Sequence, residues 1–133
     1  MRFKVTNGVR IEVSNYYIPE KSVAAMNQYL FGYEIKIQNE NPEPVQLLHR
    51  HWIITDALGR MENVKGPGVV GKQPRLEPGQ TFTYNSFCPL TTPFGSMRGS
   101  YKFMRDNGEV FEAEIPLFNL VQKEDPLSTR PQL

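Results

Sequence analysis

Residues 45–55 read Val-Gln-Leu-Leu-His-Arg-His-Trp-Ile-Ile-Thr and form the most apolar stretch of the chain. The apolar residues of this stretch do not alternate strictly with polar ones: Leu47, Leu48, Trp52, Ile53 and Ile54. Such a pattern is typical of a strand with both faces at least partly covered. We therefore predict a strand at the centre of the core, with Trp52 packed inside rather than on a recognition surface.

Stretches on either side alternate apolar with polar residues, which is the period of a strand with one solvated face. They cover residues 9–14, 31–38 and 80–87. Pro19 ends the first of them, and the polar connection over residues 20–28 has room for one helical turn at most. Each alternation predicts a strand, and residues 9–14 are expected to form the first strand of the chain.

Turn-forming residues divide the second half of the chain. Residues 56–60 are expected to lead into a short returning strand at 61–64, and residues 65–78 and 88–95 are expected to be long ordered loops. The pair Asn107-Gly108 predicts a type I′ hairpin turn, because both central residues of that turn need positive φ.

Several short strands with turns between them, and no convincing helix, predict an all-β antiparallel two-sheet sandwich. A small closed barrel is the alternative. With 133 residues, the chain has room for one hydrophobic core. We expect a single domain over residues 1–121 and a flexible C-terminal tail over residues 122–133, where two prolines lie among polar residues.

Charge and cysteine content restrict the classes of function. Lys and Arg number 15 against 14 for Asp and Glu, a net charge of +1. This balance excludes the broad basic surface of a general nucleic-acid or anionic-membrane binder.

Cys88 is the single cysteine and cannot form an intramolecular disulfide, which is typical of a protein in a reducing compartment. The sequence shows neither the apolar run of a signal peptide nor the roughly 20 apolar residues of a membrane span. A cytoplasmic location is expected.

Residues 66–71 read Gly-Pro-Gly-Val-Val-Gly and match Gly-x-Gly-x-x-Gly; with Lys72 they also match the start of a phosphate loop. Both motifs need a helix directly after the glycines, because its N-terminus supplies the amides that hold phosphate. Here Pro74 and Pro78 follow, and Gln73 replaces the hydroxyl residue that would bind Mg²⁺. The sequence therefore excludes both nucleotide-binding interpretations.

A weaker interpretation is a concavity of backbone amides that binds a small anion without a helix. Its candidate residues are Lys65, Gly66, Gly68, Gly71, Lys72 and Arg75. The simpler interpretation is that the glycines let a tight loop turn and pack close to the sheet.

Linked motifs along most of the chain resemble the ApaG family, which is also called CorD. They are residues 50–56, the loop 66–71 followed by Gln73-Pro74, residues 76–79, Cys88-Pro89-Leu90 with Pro93, and residues 97–101. The likeness runs from about residue 9 to residue 120 and is far more specific than an isolated glycine pattern. The sequence departs from the family pattern at His49 and at Lys72, the residue that completes the apparent phosphate-loop match.

This resemblance implies a fibronectin type III-like β-sandwich, of the immunoglobulin-like antiparallel kind. It also implies an association with cobalt resistance and magnesium efflux in bacteria, and contexts typical of a binding module. It implies no known reaction.

A few further residues could carry chemistry. His49 and His51 lie two apart in a presumed strand and could share a divalent metal, although a structural site normally needs four protein ligands. Arg98 is a candidate anion-binding residue; if buried, it would instead need an ion-pair partner such as Asp56 or Glu62. Cys88 is interpreted as a small buried hydrophobe.

The sequence contains no catalytic signature that we recognise, so we expect a non-enzymatic binding module with no cofactor. Its expected ligand is a protein partner, held through exposed loops or an edge strand. The alternative is a small-anion sensor that binds pyrophosphate or a nucleotide at residues 66–71. A phosphoanhydride hydrolase is the least favoured alternative, and neither general nucleic-acid binding nor membrane binding is expected.

Overall fold

The computed structural model describes residues 2–123. These residues form two 3-10 turns (Pro19–Lys21 and Ala24–Met26) and nine strands: β1 (Arg2–Thr6), β2 (Val9–Tyr17), β3 (Tyr29–Asn39), β4 (Val45–Asp56), β5 (Met61–Pro67), β6 (Arg75–Leu76), β7 (Thr81–Leu90), β8 (Phe94–Arg105) and β9 (Val110–Val121). No helix in this range is long and apolar enough to cross a membrane. A flexible tail is predicted for residues 122–133. Residues 124–133 of that segment lie outside the described residues.

The strands form two antiparallel sheets. Sheet I has the order β1-β2-β3-β7, and sheet II has the order β5-β4-β8-β9 with the short β6 also paired to β4. The sheets pack face to face, which confirms the predicted all-β sandwich rather than a closed barrel and is consistent with a fibronectin type III-like fold.

The inner faces of the sheets follow the alternation seen in the sequence. Val9, Ile11 and Val13 of β2 are buried, and so are the apolar residues at the odd positions 31–37 of β3. Trp52 of β4 lies at the centre, with its ring 5.4 Å from Tyr33 across the sandwich and 6.0 Å from Phe118 within sheet II. The prediction of β4 as the central strand, with Trp52 in the core, is confirmed.

One side of the sandwich is closed by contacts between β1, β2 and β9. Lys4 forms an ion pair with Glu114, and Asn15 donates a hydrogen bond of 2.8 Å from its side-chain nitrogen to the Asn119 carbonyl oxygen. On the opposite side, β7 ends sheet I and β5 ends sheet II. Among residues 2–123, this second side is the one left open between the sheets.

The N-terminal hairpin corrects the prediction that residues 9–14 form the first strand. β1 precedes them and pairs with β2 through a two-residue turn in which Asn7 and Gly8 have φ of 50° and 75°. This is the type I′ geometry predicted for Asn107-Gly108. At the latter turn only Gly108 has positive φ, at 88°, and the Arg105 amide donates to the Glu109 carbonyl oxygen at 2.8 Å. The β8–β9 hairpin is confirmed, but its loop is one residue longer than predicted.

Two predicted loops are partly strand. β5 continues to Pro67 and β6 occupies part of 65–78, while β7 continues to Leu90 and β8 begins at Phe94. Proline in a strand suggested a loop, but Pro67 and Pro89 both lie in strands at the edge of a sheet, where a missing amide donor is tolerated.

Gly99 sets how closely β8 approaches β4. A Cβ added there would lie 2.0 Å from the His51 carbonyl oxygen. We predict that Gly99→Ala lowers the free energy of unfolding by about 1–3 kcal/mol, because the backbones must move apart. Chemical denaturation measures the change, and the neighbouring Ser100→Ala is expected to stay within about 0.5 kcal/mol. Equal effects of the two variants would contradict this prediction.

Candidate binding site

A cleft opens between the sheets on the open side of the sandwich, between β7 and the pair β4–β5. We call it the edge cleft; its volume is about 400 Å³. Its lining comes from both sheets and from the glycine turn that follows β5: Tyr33, Arg50, Trp52, Ile54, Glu62, Val64, Val69, Val70, Tyr84, Ser86, Phe87, Cys88, Pro89 and Met97. The cleft exists because β7 and β5 have no strand between them to close the edge.

Tyrosine hydroxyls give the apolar interior behind the cleft a polar centre. The hydroxyls of Tyr84 and Tyr101 share a buried hydrogen bond, and Tyr33 is hydrogen-bonded to Ser86. Burial raises the pKa of all three tyrosines, most strongly for Tyr101, which has no solvent exposure. At neutral pH these groups are therefore uncharged hydrogen-bonding groups.

Cys88 lies in the same cleft, inside β7. Burial raises the pKa of its thiol to about 12, with a smaller contribution from the charge of Glu62. The interpretation of Cys88 as a small buried hydrophobe agrees with its exposure of 2%.

Arg50 ties the glycine turn to the end of the cleft. Its Nη1 donates hydrogen bonds of 2.9 Å to the Pro67 carbonyl oxygen and 3.0 Å to that of Gly68. Gly66 pairs with Arg50 across β4 and β5, and a Cβ at Gly66 would lie 2.9 Å from Nη2. Glycine at position 66 therefore leaves room for the guanidinium.

The turn over residues 68–72 is held by its own backbone. The amides of Val69 and Lys72 each donate at 2.8 Å to the other residue's carbonyl oxygen, and the Gly68 amide donates to Leu48 at 2.8 Å. Val70 and Gly71 have φ of 43° and 78°, as in a type I′ turn. These contacts favour the structural interpretation of the glycines, because three amides of the proposed anion concavity already have acceptors. Anion binding at residues 66–71 stays a prediction.

The structure separates the cations that the sequence grouped with this loop. Arg75 pairs with Asp106, at 2.9 Å between Nη2 and Oδ2, and with Glu77 at 3.4 Å; its hydrogen bond lowers the pKa of the Asp106 carboxyl. Lys65 lies opposite His51 in the β4–β5 register. Lys72 is exposed at the turn. These three charges do not converge on one point.

Arg98 is exposed on the outer face of sheet II, opposite Ile53 of β4. Asp56, considered above as its partner, binds Arg60 at 2.6 Å instead, and Glu62 faces the edge cleft. Arg98 is therefore neither a buried ion pair nor a neighbour of the glycine turn.

His49 and His51 do share the outer face of sheet II, as their spacing predicted. The Nε2 atom of His51 lies 2.8 Å from the side-chain oxygen of Asn63. Among residues 2–123, no three His, Cys, Asp or Glu side chains come together in a group that could hold a metal ion. Metal binding by the two histidines stays a prediction.

Sequence reasoning missed Arg50 and Ser86, two of the polar residues of the edge cleft. Arg50 carried a signal, because a cation in the middle of the most apolar strand needs a partner. Ser86 carried none, since its partner Tyr33 lies on another strand.

The fold and the cleft define a small antiparallel β-sandwich domain with one open edge. Residues 19–105 match the model of the ApaG domain. The chain is 49% identical over 116 residues to Protein ApaG of Beijerinckia indica, covering 87% of this chain and 89% of that protein. It is 52% identical over 105 residues to Protein ApaG of Bdellovibrio bacteriovorus, covering 79% and 83%. The chain belongs to the ApaG family.

A solved structure agrees with this assignment. The crystal structure of a protein described as ApaA from Bordetella pertussis superposes with a TM-score of 0.84 at 43% sequence identity. The match covers 95% of this chain and 97% of that one. The two share the sandwich along nearly their whole length.

We predict that Arg50→Ala lowers the free energy of unfolding by about 1.5–3 kcal/mol, because the Pro67 and Gly68 carbonyl oxygens lose a charged donor. Urea denaturation measures the change. Arg98→Ala is the matched control, since the Arg98 side chain is exposed and makes no ion pair or side-chain hydrogen bond among residues 2–123, and it should change stability by less than about 0.5 kcal/mol. Equal losses would show that the contacts of Arg50 contribute nothing specific.

The buried tyrosines predict a loss of stability at alkaline pH. Their pKa values are raised in the folded state, so their contribution is complete below the unfolded pKa of about 10 and is lost as pH rises toward the folded values. We expect the free energy of unfolding to fall above about pH 9.5, by up to roughly 1.4 kcal/mol per pH unit for each group.

Denaturation series in urea at stepped pH measure this slope. Tyr84→Phe should reduce the slope by removing one such group. Tyr16→Phe removes a hydroxyl from the outer face of sheet I and should leave the slope unchanged. A Tyr84→Phe slope equal to that of the parent would refute the assignment.

Proposed function

We propose that this chain is a non-enzymatic binding module that holds an extended segment of a protein partner along β7, with side chains of that segment in the edge cleft. The observation that carries the proposal is the position of β7 at the edge of sheet I, directly beside an open cleft.

β7 offers main-chain groups for strand addition. It is a ten-residue strand that pairs with β3 on one side, and within residues 2–123 no strand pairs with its other side. An edge of this kind presents alternating N–H and C=O groups to which an extended peptide can bond. β5 is a poorer site for strand addition, because it has seven residues against ten for β7.

The edge cleft supplies the means of selecting a sequence. Alternate side chains of an added strand would point toward it, since side chains alternate between the two faces of a sheet. Val64 and Ile54 provide apolar wall, while Arg50 and Ser86 provide polar groups. This mixture suits a segment that alternates an apolar anchor with a hydrogen-bonding side chain.

The ionisation of the cleft supports binding rather than catalysis. A nucleophile must lose its proton readily, but burial raises the pKa of the Cys88 thiol to about 12 and that of the Tyr84 hydroxyl still further. These groups keep their protons at neutral pH.

The association with cobalt resistance and magnesium efflux, implied by the family resemblance, stays a prediction, as do the cytoplasmic location and the pyrophosphate or nucleotide alternative. The identity of the captured partner would connect the binding module to one of these contexts.

The test is capture of the partner from cytosol by tagged protein, followed by titration of the purified partner. We expect Phe87→Asp to weaken binding by roughly tenfold or more, because it places a charge at the rim of the edge cleft. Phe94→Asp is the matched control: Phe87 and Phe94 are 53% and 54% exposed, but Phe94 lies on β8, away from the cleft. Undiminished binding by Phe87→Asp, or equal weakening by both variants, would exclude β7 and its cleft as the site.

A further inference from the structure

The outer face of sheet II carries two depressions, with volumes of about 740 and 270 Å³. They adjoin, because both are lined by His51, Ser100 and Glu112. Gly99 and Ser100 form part of their floor, where small side chains leave the sheet surface open. This surface lies on the side of sheet II that faces away from the edge cleft.

Strand register brings cations together around Ser100. Lys65 of β5 lies opposite His51 of β4, and His51 lies opposite Ser100 of β8. Arg98 and Lys102 flank Ser100 two residues away on the same strand, and His49 lies opposite Lys102. We call the surface formed by the cations Lys65, Arg98 and Lys102, together with the neighbouring His49 and His51, the cationic face.

The charges of the cationic face are left unneutralised. Six Lys and Arg side chains line the two depressions against the carboxylates of Glu112 and Glu114. Lys4 binds Glu114, and Arg50 donates its hydrogen bonds to the glycine turn. Within residues 2–123, Lys65, Arg98 and Lys102 have no carboxylate within 4 Å, whereas the arginines at positions 10, 60, 75 and 105 all do. Three cations without an ion pair therefore lie close together on this face of a chain with net charge +1.

We propose that the cationic face binds an acidic segment of a protein. Neighbouring strands lie about 4.8 Å apart and residues rise about 3.4 Å along a strand, so the Cα atoms of Lys65 and Lys102 are separated by roughly 12 Å and those of Arg98 and Lys102 by roughly 14 Å. Carboxylates spaced along an extended segment match these backbone separations. Glu112, in the same depressions, disfavours a dense polyanion.

This surface is separate from the one in the proposed function. The edge cleft opens between the sheets, while the cationic face lies outside sheet II; the two share only the Arg50 side chain among the residues that line them, and Phe87 lines the edge cleft alone. Phe87→Asp should therefore leave binding at the cationic face unchanged, so that either proposal can fail without the other.

The test is an NMR titration of the isotopically labelled protein with a synthetic peptide of alternating glutamate and serine, at about 50 mM salt. We expect the amide signals of Gly99, Ser100 and Lys102 to shift. The double variant Arg98→Glu, Lys102→Glu should bind roughly tenfold more weakly, with an unchanged unfolding transition.

The matched control is Lys21→Glu with Lys36→Glu, which makes the same change in net charge at exposed positions elsewhere. It should bind within about twofold of the parent. Equal weakening by the control pair would overturn the proposal, and so would shifts confined to residues 68–72 or no shift at all. Binding of tripolyphosphate with the same variant dependence, without binding of the peptide, would assign the face to a phosphate ligand and overturn it also.

Discussion

Burial of the Trp52 indole between the two sheets is the contact on which the rest of the structure depends. The ring meets Tyr33 across the sandwich and Phe118 and Tyr101 within its own sheet, largely edge to face. Aromatic groups packed in this way bury large areas in defined orientations. Because β4 carries Trp52, the strand is fixed at the centre of sheet II, and its other residues are assigned to an inner or an outer face.

The interior that surrounds this contact tolerates polarity because each polar group has a partner. Asn39 is fully buried, and its side chain bonds Glu43, Leu76 and Asn41. Within residues 2–123, no buried side-chain nitrogen or oxygen lacks a hydrogen-bond partner. The tyrosine hydroxyls extend this polar network to the edge cleft, so the one open side of the sandwich presents hydrogen-bonding groups rather than a bare apolar gap.

The two sides of β4 lead to different surfaces. Arg50 donates its hydrogen bonds to the carbonyl oxygens of the glycine turn, at the end of the edge cleft. His49 and His51 lie on the outer face of sheet II, beside Lys65 and Lys102. The sequence could nominate Lys65, Arg98 and the histidines as charged candidates. It joined Lys65 to the glycine loop by proximity in the chain and Arg98 by its place in a motif that matches the family, and the sheet registers place both on the outer face instead.

The sequence by itself determined the all-β class and the strands at β2, β3, β8 and β9, because a period of two residues is a local property that burial of one face imposes on any strand. It also determined the central position of β4, because an apolar stretch without strict alternation is typical of a strand covered on both faces. Only the tertiary structure decided that β1 adds an edge to sheet I, that β7 runs through Pro89 and that Arg50 faces a cleft. These features depend on pairings between segments far apart in the chain. Register between such segments is set by packing across the sandwich, which no local pattern records.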